Sequence, residues 1–243
     1  MTLRPGALLQ RVVAEFVATA LLLAIVVGSG IMGERLAGGN VAVALLANTL
    51  ATGGGLVALI LAFGPVSGAH MNPAVTLADF AMGGLPRRDV LPYIVAQIVG
   101  AYLGVAVAHG MFELPVFTPS HHVRAGAAQF LSELVASFGL LATIWGVARR
   151  RATAVPFAVA AYIVAGYWFT ASTSFANPAV TLARAASDTF AGIRPADAPA
   201  FIVAQLLGAS AATLLFRWLA PALPQVAPDI MVPHSVAPRV EEA

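Results

Sequence analysis

The chain has 243 residues, of which 59% are apolar and only 10% charged, with a formal net charge of +2. Soluble domains carry about 25% charged residues, so this composition excludes a soluble globular protein and places nearly all of the chain in a membrane. There is no cysteine, which excludes disulfides and thiolate metal sites, and all thirteen basic residues are arginines scattered through loops rather than clustered as a nucleic-acid surface.

The first apolar run, about 12–31, meets the roughly 20 residues that a spanning helix needs. Glu15 inside it is foreign to a signal-peptide core, so the run reads as the first span. Apolar segments predict six spans, at 9–31, 41–63, 89–110, 127–147, 154–174 and 198–220. Two shorter segments, 73–82 and 178–187, can cross only half of a bilayer and read as re-entrant half-helices. The proline-rich stretch 221–243 is expected to be a disordered cytoplasmic tail.

The chain is written twice. Asn72-Pro73-Ala74-Val75-Thr76-Leu77-Ala78 returns as Asn177-Pro178-Ala179-Val180-Thr181-Leu182-Ala183, 105 residues later. Glu15 in the first span parallels Glu133 in the fourth, and Gln97 in the third parallels Gln205 in the sixth. Each repeat, about 9–110 and 127–220, holds three spans. An odd number makes the second copy enter the membrane upside down, the inverted-repeat design of many transport proteins. The fold expected is therefore an all-α membrane protein of six transmembrane helices and two half-helices, forming one channel domain over 1–220. Arginines 4, 11, 87, 88 and 149–151 fall on one side of this topology, which predicts both termini in the cytoplasm.

Asn-Pro is a helix-start signal. Asn is a favoured N-cap, and Pro suits the first helical position. The Asn72 and Asn177 side-chain oxygens are expected to cap the half-helices, leaving their NH₂ donors free for a passing solute. Inverted symmetry brings the two starts together near the midplane, each carrying about +0.5 e. Two positive ends repel cations, and amide donors orient a neutral solute. Non-helical backbone at this depth is tolerated where it lines an aqueous path.

These motifs, with Ser67-Gly68-Ala69-His70-Met71 before the first and Phe175-Ala176 before the second, resemble the aquaporin, or major intrinsic protein, family over about 9–220. The resemblance implies a six-helix hourglass channel, usually a homotetramer, in the cell's inner membrane. It implies a pore centre at Asn72, Pro73, Ala74, Asn177, Pro178 and Ala179. In the family an arginine normally follows the second motif and lines the outer constriction; here that residue is Val180. Counted from the motifs without gaps, the other filter positions are Thr52, Ala165 and Ser174. None is aromatic or cationic, which implies a wide, weakly polar filter. The residues after the second motif resemble an aquaglyceroporin-like bacterial branch with valine at this place, some members of which are encoded beside arsenic-resistance genes.

Arg184 lies one turn after Val180 and reads two ways: a cationic outer mouth, or an i,i+4 surface pair with Asp188. Glu15 and Glu133 read as acceptors for the backbone of the re-entrant loops or as proton carriers. His70 lines the pore or orders its loop. His121-His122 reads as a solvated loop rather than a metal site, and Trp145, Trp168 and Trp218 as interfacial anchors. The function expected is passive passage of small uncharged solutes, among them water, glycerol-like polyols and neutral metalloid hydroxides such as arsenous acid, with protons and ions excluded. No cofactor, metal, nucleic-acid partner or catalytic set is expected; the partners are neutral solutes and lipid. An ion- or proton-coupled secondary transporter on the same inverted repeat is the alternative.

Overall fold

The computed structural model describes residues 7–222; Arg4 and nearly all of the expected tail lie outside the described residues. Within them the chain forms eight α-helices: α1 Leu8–Leu36, α2 Val41–Ser67, α3 Pro73–Met82, α4 Arg87–Met111, α5 Ala127–Arg151, α6 Val155–Phe169, α7 Pro178–Arg184 and α8 Ala198–Leu219. No strand occurs among the described residues. Five stretches are long and apolar enough to cross a membrane, and one of them, Ala127–Phe169, contains both α5 and α6. The all-helical fold expected from the sequence is the fold observed.

Boundaries differ where polar chemistry acts. α6 stops at Phe169 rather than near 174. Thr170 turns its hydroxyl back onto the Gly166 carbonyl at 2.6 Å, and Thr173 and Ser174 take positive φ values of 62° and 51°, which ends a right-handed helix. α7 ends at Arg184, three residues short of expectation.

Backbone contact sets the helix packing. A Cβ on Gly100 would lie 2.4 Å from the Phe16 carbonyl oxygen, one on Gly104 2.2 Å from that of Ala20, and one on Gly208 2.2 Å from that of Leu134. α1 therefore crosses α4, and α5 crosses α8, at distances only glycine allows. Between them lies the core, with Leu23 and Ala101 from one repeat and Leu141 and Ala209 from the other. Trp145 is fully buried there, with Nε1 3.4 Å from Thr213 Oγ1, and so is not an interfacial anchor. Trp168 and Trp218 are exposed.

Candidate functional site

α3 and α7 both start inside the molecule. Asn72 Oδ1 accepts from the Ala74 amide at 2.9 Å. Asn177 Oδ1 accepts from Ala179 and Val180 at 3.0 and 3.3 Å. The NH₂ groups are less free than the sequence suggested. Asn72 Nδ2 donates to the Ala176 carbonyl at 2.8 Å, and Asn177 Nδ2 to that of Met71 at 2.7 Å. Each carboxamide is thus fixed at both ends and keeps one N–H for a solute.

The segments leading into these caps are strained alike. Ala69 and Met71 have φ 48°, Ser174 51° and Ala176 48°, a conformation that costs a non-glycine residue about 1–3 kcal/mol. Two buried carboxylates hold it. Glu15 accepts from the His70 and Met71 amides at 2.9 and 2.7 Å, from Ser67 Oγ at 2.7 Å and from Gln97 Nε2 at 2.8 Å. Glu133 accepts from the Phe175 and Ala176 amides, both at 2.9 Å, and from Gln205 Nε2 at 2.6 Å. Every carboxylate oxygen accepts from at least one donor, which ties both glutamates to the re-entrant loops.

A cavity of about 790 Å³, including its open ends, runs past both caps. Apolar side chains of α1, α2, α5 and α6 form much of its wall, and Asn72 and Asn177 lie along it. Thr52, Ser174 and Val180 line it; Ala165 does not. Ala165 is exposed on the outside of α6, because the lumen stripe of that helix runs Val155, Val159, Ile163, Tyr167, and a residue two positions from Ile163 and Tyr167 faces away from both. Tyr167 was missed, although its four-residue spacing from Ile163 is visible in the sequence. Its hydroxyl lies 3.3 Å from Thr52 Oγ1. Gly166 makes room beside it, since a Cβ there would lie 2.6 Å from Ser174 Oγ.

Arg184 also lines the cavity and is only 2% exposed. Its guanidinium stacks 3.4 Å from the Phe175 ring centroid, and Nε donates to the Ala191 carbonyl. The surface pair with Asp188 does not form: Asp188 binds His121 instead, Oδ2 to Nδ1 at 2.9 Å and Oδ1 to the amide N at 2.9 Å. Hydrogen bonds from His121 hold the Asp188 carboxyl below its ordinary value. The wall near Val180 is therefore aromatic and cationic after all, through Tyr167 and Arg184. His70 lines the cavity too. Its Nδ1 lies 3.1 Å from Thr76 Oγ1 and its Nε2 3.5 Å from Asp79 Oδ2. Among the described residues no group of three or more His, Asp or Glu could hold a metal ion.

The sequence profile of the family described as Major intrinsic protein matches residues 2–165 and 149–239. The chain is 56% identical to the aquaglyceroporin AqpS of Rhizobium meliloti over 212 residues, covering 87% of this chain and 91% of that protein. It is 31% identical to the aquaporin AqpM of Methanothermobacter marburgensis, covering 87% and 98% of the two chains. The crystal structure of the aquaglyceroporin from Plasmodium falciparum superposes with a TM-score of 0.69 at 22% identity, over 90% of this chain and all of that one.

Proposed function

This chain belongs to the major intrinsic protein family, whose members are membrane channels for small solutes and not enzymes, and we propose that it passes glycerol-like polyols and neutral metalloid hydroxides as well as water. The observation that carries this reading is the lumen wall at Asn177. An isopropyl group, Val180, lines the lumen there beside the Asn177 cap, with Arg184 held a turn further on against Phe175. A solute with several hydroxyls and a hydrocarbon or metalloid centre meets amide and hydroxyl groups along one path and apolar side chains along the rest. The 56% identity to a protein named as an aquaglyceroporin supports the polyol part.

Asn72 and Asn177 carry the central selection, Thr52, Ser174, Val180 and Tyr167 shape the constriction, and Glu15 and Glu133 support the loops. Positive ends of half-helices are the general device by which aquaporin-type pores exclude cations and protons, and the two caps supply it in this reading. Both termini lie in the cytoplasm of a cell whose inner membrane holds the channel as a homotetramer; crosslinking and mass measurement in detergent check the assembly.

Stopped-flow light scattering on proteoliposomes tests the permeability. Glycerol and arsenous acid flux above that of empty vesicles, falling about tenfold or more in Val180→Arg, is the expected result. Water flux with neither solute admitted overturns the solute reading.

A further inference from the structure

The end of the pore at which α7 finishes holds two guanidiniums around one aromatic ring. Arg184 and Arg124 both lie over the Phe175 ring, with Cζ at 3.4 and 5.0 Å from its centroid. Their acceptors among the described residues are carbonyls: Ala191 for Arg184 Nε, Gly192 for Arg124 Nε at 2.9 Å, and Ser172 for Arg124 Nη1 at 3.1 Å. Among the described residues, neither guanidinium is ion-paired. The neighbouring acids are already engaged: Asp188 by His121, Asp197 by Arg194 at 2.7 Å and by the Arg124 amide at 2.9 Å, and Glu133 by the loop amides. Burial, with Arg124 and then Arg184 adding to it against an opposing pull from Asp188, holds the nearby His122 imidazole below its ordinary value.

Stacking on a ring occupies the face of a guanidinium and leaves its edge donors available. Among the described residues Arg184 Nη1 and Nη2 have no acceptor, and the side chain lines the cavity at 2% exposure. Ser174 Oγ, in the same wall, is buried without a partner. A buried cation with no acid in direct contact is costly, and a fork of parallel N–H groups matches a planar oxyanion.

We propose that this mouth is a binding site for small planar oxyanions of the nitrate or formate type, gripped edge-on by Arg184 with Ser174 Oγ as a further donor, and that an anion seated there obstructs the pore reversibly. The obstruction rests on the channel reading above; the binding does not. Apolar side chains of the lumen wall, Val180, Ile163 and Leu140 among them, raise the cost of moving the anion further in, because it would have to shed hydration against them.

Two measurements separate these parts. Calorimetric titration of the detergent-solubilised protein with sodium nitrate and sodium formate, against sodium gluconate at equal ionic strength, is expected to show saturable binding. That binding weakens about tenfold or more in Arg184→Gln, weakens also in Ser174→Ala, and is unchanged in the remote Arg217→Gln. Arg184→Lys keeps the charge but not the fork, so it is expected to lose the preference for nitrate over chloride. Binding that is absent, or equal in wild type and Arg184→Gln, overturns the site. Should Arg184→Gln fail to fold, the lysine and Ser174→Ala variants decide the matter, and an unaltered nitrate preference in both overturns the grip. Glycerol flux in proteoliposomes with nitrate on both sides is expected to fall with the same concentration dependence as the binding. Binding with unaltered flux overturns the obstruction. No glycerol flux in any buffer is a failure of the channel reading and leaves the titration to judge the site.

Discussion

The two re-entrant segments share a backbone and differ in what they hang on it. Residues 69–72 and 174–177 repeat the same φ pattern into the same asparagine cap, each under its own glutamate. At the matching side-chain positions, His70 packs edge-on to Tyr93 at 5.6 Å and Phe175 to Phe201 at 5.3 Å. At the seventh residue of each half-helix, about two turns in, Asp79 faces His70 and Arg184 faces Phe175. The loop carbonyl that Tyr93 reaches in the first repeat, that of Ser67, is matched in the second by Ser172, which Arg124 reaches from another element. Buried acceptors thus fix the shape of the pore centre twice over, while the side chain beside it is a carboxyl at one end and a guanidinium at the other.

Removing the shared scaffold should have the largest effect. Glu15→Ala strands the His70 and Met71 amides, and Glu133→Ala those of Phe175 and Ala176. Each is expected to cost at least about 3 kcal/mol, read as a fall in thermal unfolding midpoint in detergent, with Glu15 the more severe because Ser67 Oγ also depends on it. A milder Glu15→Ala breaks the argument that these carboxylates hold the strain. Gly100→Val and Gly208→Val force a side chain against a facing backbone oxygen and should cost about 1–3 kcal/mol, similarly in the two repeats; unequal losses mean that only one crossing needs its close approach. His70→Phe makes the first segment resemble the second but removes the Nδ1 contact with Thr76 Oγ1 and the 3.5 Å approach of Nε2 to Asp79. A loss of about 1–2 kcal/mol is expected, and no loss shows that the contact with Asp79 contributes nothing. Tyr93→Phe removes one hydrogen bond to Ser67 and should cost about 1 kcal/mol, leaving water flux intact.

Much of this was legible in the residues. Six spans, two half-helices, the Asn-Pro caps and the inverted repeat follow from apolar run lengths and a repeated heptapeptide. Ala165 was misplaced because counting from a motif ignores the helical stripe, whereas the Val155–Val159–Ile163–Tyr167 spacing points to the tyrosine. The stacking of Arg184 on Phe175, and the way Arg124 reaches Ser172, join residues brought together only by the folded chain, and local pattern carries no trace of them.

The crossed bonds at the pore centre, Asn72 to Ala176 and Asn177 to Met71, have a consequence for biogenesis. When the first half has been synthesised, its asparagine amide still lacks the carbonyl it will bind, because Ala176 is about a hundred residues away on the ribosome. The first re-entrant loop must therefore wait, unfinished, for the second. By the same logic a half-length chain could build this centre only by pairing with an upside-down copy of itself.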